Sequence, residues 1–240
     1  MSPTSSSQPS PSVPESRPPA AAAQDDRFVG AARHPAAVIL LAVTTLVAVA
    51  IDLVSKDLAF KLVANGPVVV DRQEVLALAA QSPRLIQTLI PPHPPVRVVP
   101  GLLDFTLVLN PGAVFGMGAG RRIFFIAFTG VAITFSLWMF HAWTRPRDRA
   151  AHVAIALLIA GGLGNLYDRI VHACVRDFIH PLPGLELPFG WSFMGSREVW
   201  PWVSNVADLF LLIGIGMLAA FLLRRDRALR RAESAQISGA

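Results

Sequence analysis

The chain has 240 residues, of which 53% are hydrophobic and only 15% charged, with a mean hydropathy of +0.50. Soluble domains carry about a quarter charged residues, so this balance excludes an ordinary soluble domain and indicates a membrane protein. The net charge of +5 comes almost wholly from arginine, yet no basic stripe interleaves with aromatics, which argues against a nucleic-acid partner.

Residues 1–34 are dominated by serine, proline and alanine and are expected to form a disordered tail, because nothing in them can bury a core. No apolar run follows a basic start there, so the tail does not read as a signal peptide. From Ala36 to about Val54 the chain is apolar for long enough to cross a roughly 30 Å hydrocarbon core as a helix. Pro35 stands at its start, where a missing N–H costs nothing. Asp52 and Lys56 close this span, four residues apart on one face. Lys56 is expected to snorkel to the interface, whereas Asp52, inside the apolar run, is expected to face protein and hold a neighbouring loop.

The connection from 57 to 122 is mixed, and about Gly66 to Pro95, ending in PPHPP, reads as an irregular loop. Val98–Leu109 is rich in β-branched and aromatic residues around a Pro100–Gly101 turn, so short strands are predicted within a β-rich element of about 96–116. The run Asn110-Pro111-Gly112-Ala113 forms turns and places Asn110 at a loop tip. There it is either an ordinary turn residue or an amide that bonds an extended peptide backbone.

Further spans are predicted at about 123–140, 150–166 and 206–223. A loop of about 35 residues separates the last two and carries NLYDRIVHACVRDFIH. In it Phe189, Trp191, Phe193, Trp200 and Trp202 suit either an interfacial belt or packing on the bundle. Arginine clusters at 145–149 and 224–231 put the short loop and the C-terminal tail in the cytoplasm, giving four spans with both termini inside. Asp52, Asn110, the Asn165–Asp177 stretch and Asn205–Asp208 then all fall at the outer face. Scattered snorkelling charges would not converge on one level.

Asn165, Asp168 and Arg169 share a helical face, and Asn205 and Asp208 repeat the i,i+3 spacing. Arg169 has Asp168, a catalytic carboxylate or a substrate carbonyl as candidate partners. No glycine-rich phosphate loop or zinc spacing is present, and no metal or other cofactor is expected. Neither Ser204 with His172 or His180 nor the lone Cys174 has a context that would activate a nucleophile, and Cys174 reads as a small buried residue. Asp177 and Asp208 are the candidates for chemistry. Two close carboxylates in a cleft share one proton, and such a pair can activate water and protonate a scissile amide. The alternative is that each aspartate binds a separate arginine.

The runs IDLVSK at 51–56, LNPGAVFG at 109–116, GGLGNLYDRI at 161–170, VRDFIH at 175–180 and NVAD at 205–208 together resemble lipoprotein signal peptidase (signal peptidase II), the aspartic peptidase of bacterial inner membranes. The resemblance covers roughly residues 36–223. It implies that Asp177 and Asp208 are catalytic and that Asn110, Asn165 and Arg169 line the substrate site. Asp52, Lys56, Gly112, Asp168 and Asn205 would support them. It further implies a diacylglyceryl-modified prolipoprotein as substrate, cut before its lipid-bearing cysteine, with the strands near 98–109 cradling the peptide. Two departures bear on substrate fit: Pro111 where threonine is usual after the asparagine, and Ser204 where phenylalanine is usual before Asn205.

The expected architecture is an all-α membrane protein, a four-helix bundle with a small extracytoplasmic β-subdomain. A disordered tail at 1–34, a peptidase domain at 35–223 and a basic cytoplasmic tail at 224–240 make up the chain. It is expected to act as a monomer among membrane lipids. The rival reading is a non-enzymatic transporter or scaffold using the same carboxylates, which would need ionisable residues strung through the membrane; spans two to four instead have apolar middles.

Overall fold

The computed structural model describes residues 30–112, 121–192 and 195–238. Four helices are long and apolar enough to cross a membrane: α1 (Pro35–Leu62), α3 (Arg121–Trp143), α4 (Arg149–Val171) and α5 (Val206–Ser238). Each contains a predicted span and runs past it. α5 extends furthest because RRDRALRR remains helical beyond the apolar stretch, where Asp226 and Arg230 pair four residues apart at 2.8 Å.

α4 is the central helix. Over its apolar window 56% of residues are buried, against 11–22% in the other three. Its small residues allow this. A Cβ on Gly161 would lie 2.5 Å from the Ala207 carbonyl of α5, and one on Gly164 would collide with the Asp52 carboxylate of α1. With no driving force from water between helices, such close backbone contact is what binds a bundle in lipid.

Between α1 and α3 the chain forms a short helix, α2 (Arg72–Gln81), followed by a 3-10 segment over Pro83–Leu89. The expected irregular loop at 66–95 is therefore largely helical. Asp71 caps α2 by accepting from the backbone N–H groups of Gln73 and Glu74 at 2.9 and 3.0 Å. The predicted strands are present as β1 (Val96–Val99) and β2 (Leu103–Asn110), which turn at Pro100–Gly101 and join β3 (Val175–Pro181) in an antiparallel sheet ordered β1-β2-β3. The expected long loop after the third span thus begins with five more residues of helix and, soon after, a strand. Leu107, Leu109, Cys174 and Phe178 of this region pack with Phe60, Val75 and Ile86, so the sheet and α2 sit on the end of α1.

β3 is extended by a crossing segment. Ser204 donates its N–H to Ile179 and accepts from Phe178 and Ile179, at 2.8–2.9 Å. That contact delivers Asn205 and the start of α5 to the edge of β3. The intervening excursion exposes Phe189 and Trp191, whereas Trp200 and Trp202 pack edge to face at 5.8 Å. Phe193 and most of the N-terminal tail lie outside the described residues.

Candidate active site

Four elements meet where β2 ends, β3 begins, α4 finishes and α5 begins. Asp177 lies in β3 with its side chain 2% exposed, opposite Val108 in the register. Its two carboxylate oxygens accept from Asn205 Nδ2 at 2.6 Å and Asn110 Nδ2 at 3.1 Å. Asn110, the last residue of β2, is held so that only its amino group can face Asp177, because its Oδ1 accepts from the Gly112 N–H at 2.9 Å. Gly112 has φ +81, and a Cβ there would meet the Phe125 ring at 2.9 Å, so the turn needs glycine on both counts.

Asp208 lies in the first turn of α5 and is half-buried. Asn205 precedes the helix and forms a reciprocal cap with it. The Asp208 N–H donates to Asn205 Oδ1 and the Asn205 N–H donates to Asp208 Oδ2, both at 3.1 Å. Asp208 Oδ1 accepts from Asn165 Nδ2 at 2.8 Å. Asn205 therefore touches both aspartates, and Asn165 is oriented by two donors to its own Oδ1: Asn205 Nδ2 at 3.1 Å and Lys56 Nζ at 3.0 Å.

Behind this layer is a sealed set of charges. Lys56 Nζ donates to Asp52 Oδ2 at 2.8 Å and stands 3.4 Å from Asp168 Oδ2, with all three side chains wholly buried. The expected snorkelling of Lys56 does not occur, because α1 continues to Leu62 and places Lys56 inside the protein rather than at its rim. Asp52 Oδ1 accepts from the Ala207 N–H at 2.8 Å, so it holds the first turn of α5. Asp168 is gripped by Arg176 through Nε, Nη2 and the backbone N–H at 2.9–3.1 Å, and not by its neighbour Arg169.

Arg169 donates from Nη1 to the Asn165 carbonyl at 3.1 Å, and its guanidinium lies over Phe125, 5.1 Å from the ring centre. Among the described residues it forms no ion pair, and neither do Asp177 and Asp208. The separate-arginine arrangement is thus absent there. Arg176 was not singled out in the sequence. Its signal is strand alternation, which turns it to the opposite side from Asp177 and toward α4.

Burial, and next the negative charge of Asp208, push the Asp177 carboxyl up to about 7, against the opposing bonds from Asn205 and Asn110 and the charge of Lys56. Burial likewise pushes the Cys174 thiol up to about 12, which leaves it inert. The site so described contains one carboxyl able to hold a proton near neutrality, a second more open carboxylate, and a guanidinium with unused donors. Among the described residues no group of three or more His, Cys, Asp or Glu could hold a metal ion.

The family model for signal peptidase (SPase) II matches residues 44–224. The lipoprotein signal peptidase of Desulfitobacterium hafniense is 33% identical over 140 residues, covering 58% of this chain and 80% of that protein. Its counterpart from Syntrophotalea carbinolica is 34% identical over 147 residues, covering 60% and 83%. A bacterial membrane enzyme solved by the in meso method at 2.3 Å superposes with a TM-score of 0.51 at 25% identity, covering 77% of this chain and 87% of that one. The family match runs from within α1 to the end of the apolar part of α5 and takes in every residue of the site, so this chain belongs to the signal peptidase II family.

Proposed function

We propose that Asp177 and Asp208 are the catalytic pair of this membrane-bound aspartic endopeptidase, which removes the signal peptide from prolipoproteins. The observation that carries the assignment is Asn205, whose side chain binds Asp177 and whose cap binds Asp208, so one residue ties both carboxylates into a single unit.

The pair holds one proton, on Asp177. Asp208 takes a proton from a water as its oxygen attacks the scissile carbonyl carbon, and Asp177 gives its proton to the carbonyl oxygen. Collapse of the tetrahedral intermediate breaks the C–N bond. The proton held by Asp208 passes to the leaving amine and the hydroxyl proton returns to Asp177, restoring the pair. Arg169, with donors to spare beside the pair, binds a peptide carbonyl. Asn110, with Gly112 beneath it, fixes Asp177, while Asn165 acts through Asp208. Asp52, Lys56, Asp168 and Asn205 hold the frame.

The substrate is a diacylglyceryl-modified prolipoprotein cut just before the modified cysteine. Its lipid lies in the bilayer while the extended peptide runs beneath β1 and β2. The arginine-rich ends of α3, α4 and α5 face the cytoplasm, which puts both termini inside and the pair at the outer face of the inner membrane. The domain spans residues 35–223, between a cytoplasmic tail at 1–34 and a basic tail at 224–240, and works as a monomer surrounded by lipid. A transport role is disfavoured because no charged residue lies between Arg122 and His141 in α3 or between Asp208 and Arg224 in α5.

The test is cleavage of a lipidated prolipoprotein by purified protein. Asp177→Asn and Asp208→Asn should each lose about a thousandfold in turnover while keeping the wild-type melting temperature within a few degrees. Near-full turnover by either variant overturns the assignment.

A further inference from the structure

The end of the bundle opposite the aspartate pair carries a second polar construction. A cavity of about 450 Å³ opens between the start of α1, the turn joining α3 to α4 and the start of α4, with His34, Leu40, Pro146, Arg147, Arg149 and His152 in its wall. No carboxylate is in that wall. Asp148, next to it, is engaged elsewhere and accepts from the Arg145 N–H at 2.8 Å.

Two further features belong to the same place. Neither α1 nor α4 has a side-chain cap at its N-terminus, and neither has an acidic residue in its first turn. Asp148 is the N-cap residue of α4, but its carboxylate bonds the Arg145 N–H and no N–H of the helix, so the positive dipole ends of both helices lack a side-chain acceptor, which is the arrangement that favours an anion. The second feature is His152, whose ring is wholly buried edge-on against Phe140 at 5.1 Å. Neither ring nitrogen has a hydrogen-bond partner among the described residues, the Arg145 backbone nearby being outside bonding geometry. A buried polar group left in this state is costly, and a ligand oxygen drawn between Arg147 and Arg149 would relieve it.

We propose that this cavity binds a phosphate group, that of an anionic phospholipid headgroup on the arginine-rich side of the membrane. The guanidinium fork matches phosphate geometry. The source is lipid because the cavity lies where the apolar surfaces of α1 and α4 give way to arginine, the depth at which headgroups sit, and because Leu40 and Pro146 supply an apolar wall for the glycerol. The site is separate from the aspartate pair and holds whether or not that pair is catalytic.

The test uses the full chain in detergent, titrated with dihexanoyl phosphatidylglycerol, dihexanoyl phosphatidylcholine or inorganic phosphate and read by native mass spectrometry and melting temperature. Phosphatidylglycerol should bind one per chain and raise the melting temperature, with phosphatidylcholine and inorganic phosphate each about tenfold weaker. The double variant Arg147→Gln/Arg149→Gln should lose about tenfold in phosphatidylglycerol affinity. The charge-matched control Arg227→Gln/Arg231→Gln, at the exposed end of α5, should retain it. Equal affinity in wild type and the first variant, or equal loss in both variants, overturns the site. Phosphatidylcholine binding as tightly as phosphatidylglycerol overturns the anion assignment. Inorganic phosphate binding as tightly as phosphatidylglycerol overturns the lipid assignment.

Discussion

Two groups of charges sit side by side at the same end of this bundle and are built on opposite principles. In the first, Lys56, Asp52, Asp168 and Arg176, each carboxylate has a cation and the set is closed to water. In the second, among the described residues, Asp177 and Asp208 have only amide donors, and the nearby cation, Arg169, forms no ion pair. A carboxylate paired with a buried cation is held in place as part of the frame. One surrounded by amides and facing a second carboxylate can change protonation state, which is what acid–base chemistry requires. Burial alone does not mark a reactive group here, since Asp52 and Asp168 are at least as buried as Asp177.

The sharpest way to break this contrast is to open the closed group. Lys56→Met should leave two carboxylates buried without their shared cation and cost about 3–5 kcal/mol, seen as loss of the folded protein in detergent melts. Lys56→Met protein that melts like wild type would show that the closed group is not a structural unit.

Asn205→Ala comes next. It removes a bond to each aspartate and the cap of α5. Cleavage should fall by about 10–100-fold, as loss of hydrogen bonds to charged groups implies, while stability falls by only about 1 kcal/mol. A stability loss without a change in turnover would place Asn205 in the frame alone.

Gly112→Ala should have the smallest effect, a loss of about tenfold in turnover at unchanged substrate affinity. Its positive φ and the Phe125 ring oppose the new methyl, and Asn110 then loses the N–H that orients it. Wild-type kinetics in this variant would release Asn110 from its proposed role.

The four spans were legible because unbroken apolar runs of that length have no alternative in water, and the strands because β-branched residues flank a Pro-Gly turn. α2 was read as irregular loop: Asp71 and Glu74 stand three apart as a capping pair, but the prolines further on masked that signal. The site residues were recognisable as polar interruptions of apolar sequence. Their division into closed and open groups was not. Lys56 meets Asn165 across 109 residues, and Asp168 chooses Arg176 over the adjacent Arg169 because a strand returns past the end of α4. Such choices are made by tertiary packing and leave no local trace.

The most direct test of the shared proton is the carboxyl titration of Asp177, followed by NMR in protein labelled with carboxyl-13C aspartate. One resonance should titrate at about 7 and be missing in Asp177→Asn. In Asp208→Asn it should move downward yet stay above the usual carboxylate range, because removal of the neighbouring charge leaves the burial in place. Cleavage by wild type should decline as pH rises through the same value, since the proton donor is lost there. If every aspartate resonance in wild type titrates near 4, or if the raised one is unmoved in Asp208→Asn, the two carboxyls do not share a proton.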